Sequence, residues 1–167
     1  GFGSKQDIVL DDLVAHLVIK TNRPVRLRLD RDEEFRSTRS RHAYKIKMKI
    51  GFKKDGTITA VSLYALSSTG AYGAHGLTVL SNVGAKTLGL LRTKNMRFIG
   101  DVVYTNHPVA GAFRGYGATQ GYFAMGTLID EAAEKLGLDV LDIYRRNWVH
   151  KGDIFALAKP LGEGREG

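Results

Sequence analysis

A glycine-punctuated segment, Gly111-Ala112-Phe113-Arg114-Gly115-Tyr116-Gly117, carries the strongest chemical signal in this sequence and leads directly into a helical pattern. Glycine has no Cβ, so a ligand can approach the backbone closely at these positions. The N–H groups at the start of a helix lack partners within the helix and favour an anionic group. Arg114 adds a permanent, planar cation, and the two aromatic residues supply flat apolar walls. The segment predicts a ligand-binding loop, with an ordinary strand-to-helix turn as the alternative.

A second segment of the same kind stands at the start of the sequence, where Gly1-Phe2-Gly3-Ser4-Lys5-Gln6-Asp7 precedes an amphipathic pattern. The backbone N–H groups of Phe2 and Gly3 can donate to an anionic ligand without a charged side chain that would compete for a metal. Gln6 can donate and accept hydrogen bonds but carries no charge. Two such loops in one chain favour a binding role over two unrelated turns.

Together with two intervening signals, these loops resemble the molybdopterin-binding subunit of the molybdenum hydroxylases, the family of xanthine dehydrogenase and aldehyde oxidase. The intervening signals read Arg23-Pro24-Val25-Arg26-Leu27 and Arg39-Ser40-Arg41-His42. The family carries a Gly-Gly-Gly-Phe-Gly-x-Lys loop and, further on, an Ala-Phe-Arg-Gly-Phe/Tyr-Gly-x-x-Gln loop, and all four signals occur here in the family's order. The resemblance covers essentially the whole chain, is strongest to bacterial xanthine dehydrogenases, and implies an internal fragment of a longer subunit.

The resemblance implies roles for residues of both loops. It assigns cofactor contacts to Phe2 and Gly3 in the first loop and to Ala112, Phe113 and Arg114 in the second. The implied cofactor is molybdopterin, whose dithiolene holds the molybdenum, so no protein metal ligand is expected.

The resemblance also implies that Gln6 and Tyr116 face the substrate, with the Tyr116 ring stacking on a heteroaromatic group. Two positions depart from the eukaryotic xanthine enzymes, which have a glutamate where Gln6 stands and a substrate-binding arginine where Asn82 stands. Both departures bear on xanthine specificity rather than on the family.

The implied reaction inserts a water-derived oxygen at an electrophilic C–H of a purine such as xanthine, or of a related N-heterocycle, while a hydride passes to the metal centre. The chain has no cysteine, so iron–sulfur clusters, together with FAD, are expected on other segments or subunits of the complex. The family's general-base glutamate lies beyond the matched stretch. The fragment is therefore expected to contain no catalytic residue and to be inactive alone. An aldehyde- or nicotinate-type hydroxylase is the alternative within the family.

Charge and composition allow a different class of function. The chain of 167 residues carries a formal net charge of +8 and is 43% hydrophobic, which is ordinary for one globular domain. Lys45, Lys47 and Lys49 alternate with apolar residues, as in a strand with one solvated face. The alternative is a non-enzymatic basic module that binds nucleic acid or an acidic partner through this face, although nucleic acid is the less favoured partner.

Other features of the sequence exclude some classes of protein and site. No apolar run reaches membrane-spanning length, and a cytoplasmic enzyme is expected. His75 and His107 fall in predicted loops without the spacing of a metal site, so structural or exposed roles are expected for both.

The apolar periodicities predict an α+β fold with a mixed or antiparallel meandering sheet and packed helices. The predicted helices span residues 8–21 (capped by Asp7), 78–88 (interrupted by Gly84), 119–136 (ended by Gly137) and 139–149. The predicted strands span 25–30, 44–52, 57–67 and 97–106, and Asp55-Gly56 predicts a hairpin turn between the second and the third. Residues 30–41 are predicted as a mostly charged loop. We divide this single domain into a loop plus helix (1–22), a sheet region (23–106), the cofactor loop with C-terminal helices (107–150) and a linker (151–167).

Overall fold

A computed structural model describes Ile8 and residues 10–161 of the chain. In chain order the elements are α1 (Asp11–Thr21), α2 (Arg31–Ser37), β1 (Ala43–Phe52), β2 (Ile58–Ser68), α3 (Gly76–Leu88), β3 (Met96–Val103), α4 (Ala118–Leu136) and α5 (Val140–Asn147). The three strands form one sheet in the order β1-β2-β3. Strand β2 pairs with β1 antiparallel and with β3 parallel, which confirms the predicted α+β fold with a mixed sheet.

The β1–β2 hairpin forms at the predicted Asp55-Gly56 turn. Gly56 has a φ of +82°, a conformation that favours glycine. The Thr57 N–H donates to Asp55 Oδ1 over 3.0 Å. Asn147 of α5 fixes the same turn from the far end of the chain, because its Nδ2 donates to the Gly56 carbonyl and its Oδ1 accepts from the Ile58 N–H, at 2.8 and 2.7 Å.

The two faces of β1 differ as the lysine alternation predicts. Lys45, Lys47 and Lys49 are exposed, whereas the residues between them, such as Ile46 and Met48, are half-buried and pack against the core. The strand therefore turns its charged face to solvent.

Helix α3 connects the parallel strands β2 and β3, and it begins at Gly76 rather than at residue 78. Gly84, which lies inside this helix, does not interrupt it. A Cβ at Gly84 would lie 2.9 Å from the Phe98 ring, so the glycine lets α3 pack closely on β3.

The predicted long helix is confirmed as α4, with Met125, Ile129 and Ala133 buried in the core. Gly137 ends it in a left-handed conformation, and its N–H donates to the carbonyls of Ala133 and Glu134. This is the glycine stop that the sequence predicts.

Two predictions for the N-terminal part were wrong. Residues 25–30 form no strand, and the predicted charged loop contains helix α2. The Asp30 side chain accepts from the Glu33 N–H, and the Glu33 carboxylate accepts from the Asp30 N–H, which makes a capping box. Capping and three acidic residues in the first turn account for a helix that buries no residue.

Helix α1 begins at Asp11, and its predicted cap Asp7 lies outside the described residues. No residue of α1 is buried, so its apolar stripe is not covered by the described part of the chain.

The described part of the predicted linker, residues 151–161, packs against the core. Within residues 151–161, Ala158 is buried and Phe155 and Leu157 pack against the core. Asp153 pairs with Arg92 at 3.0 Å.

Candidate cofactor-binding site

The loop before α4 has an unusual backbone. Gly115, Tyr116 and Gly117 follow one another with φ values of +90°, +38° and +95°. Two tight backbone hydrogen bonds hold this turn, from the Tyr116 N–H to the Phe113 carbonyl at 2.7 Å and from the Ala118 N–H to the Gly115 carbonyl at 2.8 Å. Gly117 is also required by packing, because a Cβ there would meet the Val79 carbonyl oxygen of α3.

The Arg39–His42 turn lies directly against this loop. The Gly111 N–H donates to the Ser40 carbonyl at 3.0 Å, and Ser40 forms an isolated parallel bridge with Ala110. On the other side, Gln120 Nε2 donates to the His42 carbonyl at 3.3 Å. Two of the four family signals are thus brought together in space.

Arg41 is the residue that sequence reasoning missed. Its Nη2 donates to the Arg114 carbonyl at 2.6 Å, and its Nη1 donates to Thr119 Oγ1 at 2.9 Å. Its guanidinium carbon lies 4.6 Å from the centre of the Phe113 ring, within cation–π range. One side chain therefore joins the loop to the start of α4. The Arg39-Ser40-Arg41-His42 motif pointed to this position, but contacts across 73 residues of sequence are not visible in a pattern.

The structure separates the predicted cofactor residues by exposure. Ala112 is fully buried, Phe113 is 46% exposed and Arg114 is exposed. Of these three residues, Phe113 and Arg114 therefore present side chains to a ligand at this surface. The other predicted contacts, Phe2 and Gly3, lie outside the described residues, as does Gln6.

Tyr116 is half-buried and belongs to a hydrogen-bond network that the sequence did not predict. Its hydroxyl lies 2.7 Å from His75 Nδ1 and 2.7 Å from Thr78 Oγ1. The His75 and Tyr116 rings meet edge to face with centroids 5.9 Å apart. His75, for which a structural or exposed role was predicted, is the N-cap residue of α3 with a φ of +56°. Asn82 lies one turn beyond Thr78 and donates to its carbonyl at 3.0 Å.

The surroundings of the loop carry positive charge and few carboxylates. Between Ser37 and Ile129 the sequence has only two acidic residues, Asp55 and Asp101. Asp55 contacts Arg146 at 3.3 Å in the hairpin, and Asp101 accepts from the Tyr64 hydroxyl at 2.9 Å. These two carboxylates are therefore engaged away from Arg114, and the segment between Ser37 and Ile129 favours an anionic ligand.

Two side chains behind the loop, the buried His42 and the half-buried Tyr44, are kept neutral. Burial lowers the pKa of His42, and the nearby His75 lowers it further against the opposing effect of the Ser68 carbonyl, which accepts from the ring at 3.0 Å. Burial raises the pKa of Tyr44 to about 12. His42 Nε2 and Thr69 Oγ1 are buried and have no hydrogen-bond partner among the described residues.

These features fit an anionic ligand. Gly117 provides no side-chain cap for α4, and the positive end of the helix dipole favours a negatively charged group beside exposed Arg114. The described residues contain no group of three or more histidine, cysteine or acidic side chains that could hold a metal ion. In the same part of the chain, no helix is long and apolar enough to cross a membrane.

A groove of about 970 Å³ runs beside the loop between β1 and α4. Arg41 and Thr119 line it together with apolar residues such as Ile46 and Met48. Its volume is within the range of small-molecule sites, but its lining is mostly apolar and lacks Arg114 and Tyr116.

The fold and loop define a cofactor-binding domain in which a glycine loop leads into a helix N-terminus. A family model described as "Molybdopterin cofactor-binding domain" matches residues 1–148. The chain belongs to this family.

Individual relatives agree with the family assignment. The chain is 44% identical to a probable hypoxanthine oxidase of Escherichia coli K12 over 99% of its own length and 17% of the relative's. It is 42% identical to a xanthine dehydrogenase molybdenum-binding subunit of Escherichia coli O157:H7, over 96% of the chain and 21% of the relative. Its structure matches that of an aldehyde oxidoreductase from Desulfovibrio gigas with a TM-score of 0.78 and 34% identity, covering 98% of this chain and 19% of the other. The chain spans about a fifth of the length of these relatives.

Proposed function

We propose that this chain forms part of the molybdenum-cofactor subunit of a xanthine dehydrogenase-like hydroxylase. The substrate is a purine such as xanthine or hypoxanthine, or a related N-heterocycle, and water is the source of the inserted oxygen. The observation that carries the proposal is the Arg114 loop, which Arg41 holds at the N-terminus of α4 in a member of the molybdopterin-binding family.

In this proposal, different residues of the loop contact different parts of the cofactor. The exposed Arg114 guanidinium and the N-terminus of α4 favour the anionic part of the cofactor. The backbone of Ala112 and the ring of Phe113 line the cofactor. The cofactor, when bound, supplies the redox centre that takes two electrons from the substrate. On the basis of the family motif, we propose that Phe2 and Gly3 of the first loop also contact the cofactor.

Tyr116 and Gln6 are the proposed substrate contacts. An aromatic face favours a flat heterocycle over an aliphatic aldehyde, because ring stacking adds attraction that a chain lacks. The names of two relatives, a hypoxanthine oxidase and a xanthine dehydrogenase subunit, support a purine. Asn82 stands where an arginine would recognise xanthine, so hypoxanthine or another less oxidised ring is the better substrate.

The proposed partners are iron–sulfur and FAD segments or subunits of the same complex. With no cysteine, this chain cannot bind an iron–sulfur cluster itself. Electrons from the substrate must therefore leave through other parts of the enzyme.

The test uses the full-length protein purified with its partners. Near-stoichiometric molybdenum by elemental analysis, and oxidation of hypoxanthine that depends on it, are expected. Arg114→Ala should lower the molybdenum content at least severalfold, because one charge-assisted contact contributes about 1.5–3 kcal/mol. Arg97→Ala, which removes an exposed arginine on β3, is the matched control and should retain the metal. Wild-type protein without molybdenum, made in cells that synthesise the cofactor, would contradict the proposal.

A further inference from the structure

The contacts of Tyr116 raise the question of what its hydroxyl does. A ring that only stacks on a substrate needs no hydroxyl group, and the family motif accepts phenylalanine at this position. Here the hydroxyl lies 2.7 Å from both His75 Nδ1 and Thr78 Oγ1. Both partners belong to the start of α3, so the network joins the loop to a rigid helix.

The backbone at both ends of the contact supports a positioning role. Tyr116 and His75 have φ values of +38° and +56°, in the left-handed region that few non-glycine residues occupy. Such conformations persist when surrounding contacts hold them. The hydrogen bond between the two side chains connects these two strained positions directly.

The donors in the network can be assigned from the geometry. Thr78 Oγ1 lies 3.1 Å from the His75 carbonyl, which can only accept, so the threonine proton goes there. Tyr116 then donates to Thr78 Oγ1, because the threonine has only one proton. The phenol proton is thereby used, and His75 Nδ1–H must donate to the Tyr116 oxygen.

We propose that His75 and Thr78 are positioning residues for the substrate site and that they fix the Tyr116 ring through this directed cycle. The inference rests on the proposed function, in which Tyr116 forms the aromatic wall for a heterocycle. The Tyr116 hydroxyl then serves to orient the ring and takes no part in the chemical step. The cycle requires a histidine that is protonated on Nδ1.

Two substitutions at His75 test the direction of the hydrogen bond. His75→Asn keeps a donor amide near the Nδ1 position, and asparagine tolerates a positive φ. His75→Asp has the same size but, when ionised, can only accept. If His75 donates to Tyr116, the asparagine variant retains wild-type substrate binding and the aspartate variant loses it.

The measurements use the full-length holoenzyme with hypoxanthine as the probe. KM and kcat are determined together with the molybdenum content, and the dithionite-reduced protein is titrated with hypoxanthine under anaerobic conditions to obtain Kd without turnover. Because fixing one side chain in advance lowers the cost of binding, Tyr116→Phe, His75→Ala and His75→Asp should each raise KM and Kd about fivefold. The kcat and molybdenum content of the two His75 variants should stay within about twofold of wild type.

The double variant Tyr116→Phe/His75→Ala separates positioning from a general structural effect. If His75 acts through the hydroxyl, the double variant binds no worse than either single variant. Additive losses, retained binding in His75→Asp, or loss of molybdenum even in His75→Asn would each overturn the inference. These outcomes differ from failure of the proposed function, in which the wild-type protein itself lacks molybdenum-dependent oxidation.

Discussion

The N-terminal arm (residues 10–37) and the body (residues 40–161) use their apolar residues in opposite ways. The arm contains α1 and α2, neither of which buries a residue, and Ile19 is 78% exposed. The body buries its apolar residues in one core between the sheet and helices α3, α4 and α5. An amphipathic pattern therefore predicts that a helix forms. Whether the apolar face of that helix is buried depends on another segment packing against it. The Arg114 loop belongs to the body, so its described contacts do not depend on α1.

Among the loop residues of the body, the largest expected effect comes from Gly117→Ala. The new Cβ would meet the Val79 carbonyl oxygen in a backbone with φ of +95°. We expect a loss of stability of about 3 kcal/mol, because a fixed backbone atom cannot yield and the conformation is itself strained. Gly137→Ala is the matched control, since Gly137 has a φ of +66° but nothing within 4 Å of its Cβ position. It should cost only about 1 kcal/mol. Calorimetric unfolding of the full-length protein checks both, and equal losses would show that packing at Gly117 is unimportant.

Arg41→Lys should have the next largest effect on the body. Lysine keeps the charge but lacks the fork that bonds the Arg114 carbonyl and Thr119 together. We expect a loss of about 1–2 kcal/mol in stability and a lower molybdenum content. Arg97→Lys serves as the control and should change neither. A fully loaded Arg41→Lys protein would show that charge alone holds the loop.

The body should also lose stability in mild acid because of His42. Its pKa in the folded protein lies below the ordinary value of 6.5 because of burial. The unfolded chain therefore binds a proton first as the pH falls, so His42's contribution to stability is complete above 6.5 and decreases below it. His42→Gln should flatten the dependence of melting temperature on pH between 7 and 5. An unaltered pH dependence in His42→Gln would contradict this assignment.

The smallest effect is expected in the arm. Ile19→Ser replaces an exposed residue and should change stability by less than about 0.5 kcal/mol. Leu63→Ala in the body, where Leu63 is 1% exposed, should cost about 3 kcal/mol by comparison. A loss of more than about 2 kcal/mol for Ile19→Ser in the full-length subunit, measured by calorimetry, would mean that another segment covers α1.

Local signals account for the elements that the sequence predicted well. The Asp55-Gly56 turn and the Gly137 stop depend on residues adjacent to them, so both were predicted from the sequence alone. Helix α2 also has a local signal, the Asp30 and Glu33 capping box, but it lies in a charged run without apolar periodicity and was missed.

Long-range contacts account for what the sequence did not predict. The family motif pointed to Arg114 and Tyr116, and the structure places the former on the surface and the latter half-buried. It could not show that Arg41 bonds the Arg114 carbonyl or that His75 bonds the Tyr116 hydroxyl, because those pairs are separated by 73 and 41 residues. Residues 25–30 alternate like a strand but gained no neighbouring strand among the described residues, so the predicted strand was wrong.

The two hydrogen bonds from the Asn147 side chain to the β1–β2 hairpin affect the order in which the chain folds. The turn itself is local, yet its Gly56 carbonyl and the Ile58 N–H find their side-chain partner 91 and 89 residues later in the chain. During synthesis, β1 and β2 leave the ribosome long before α5 exists. These two backbone groups of the hairpin must therefore stay bonded to water until α5 has been synthesised and Asn147 can bond them.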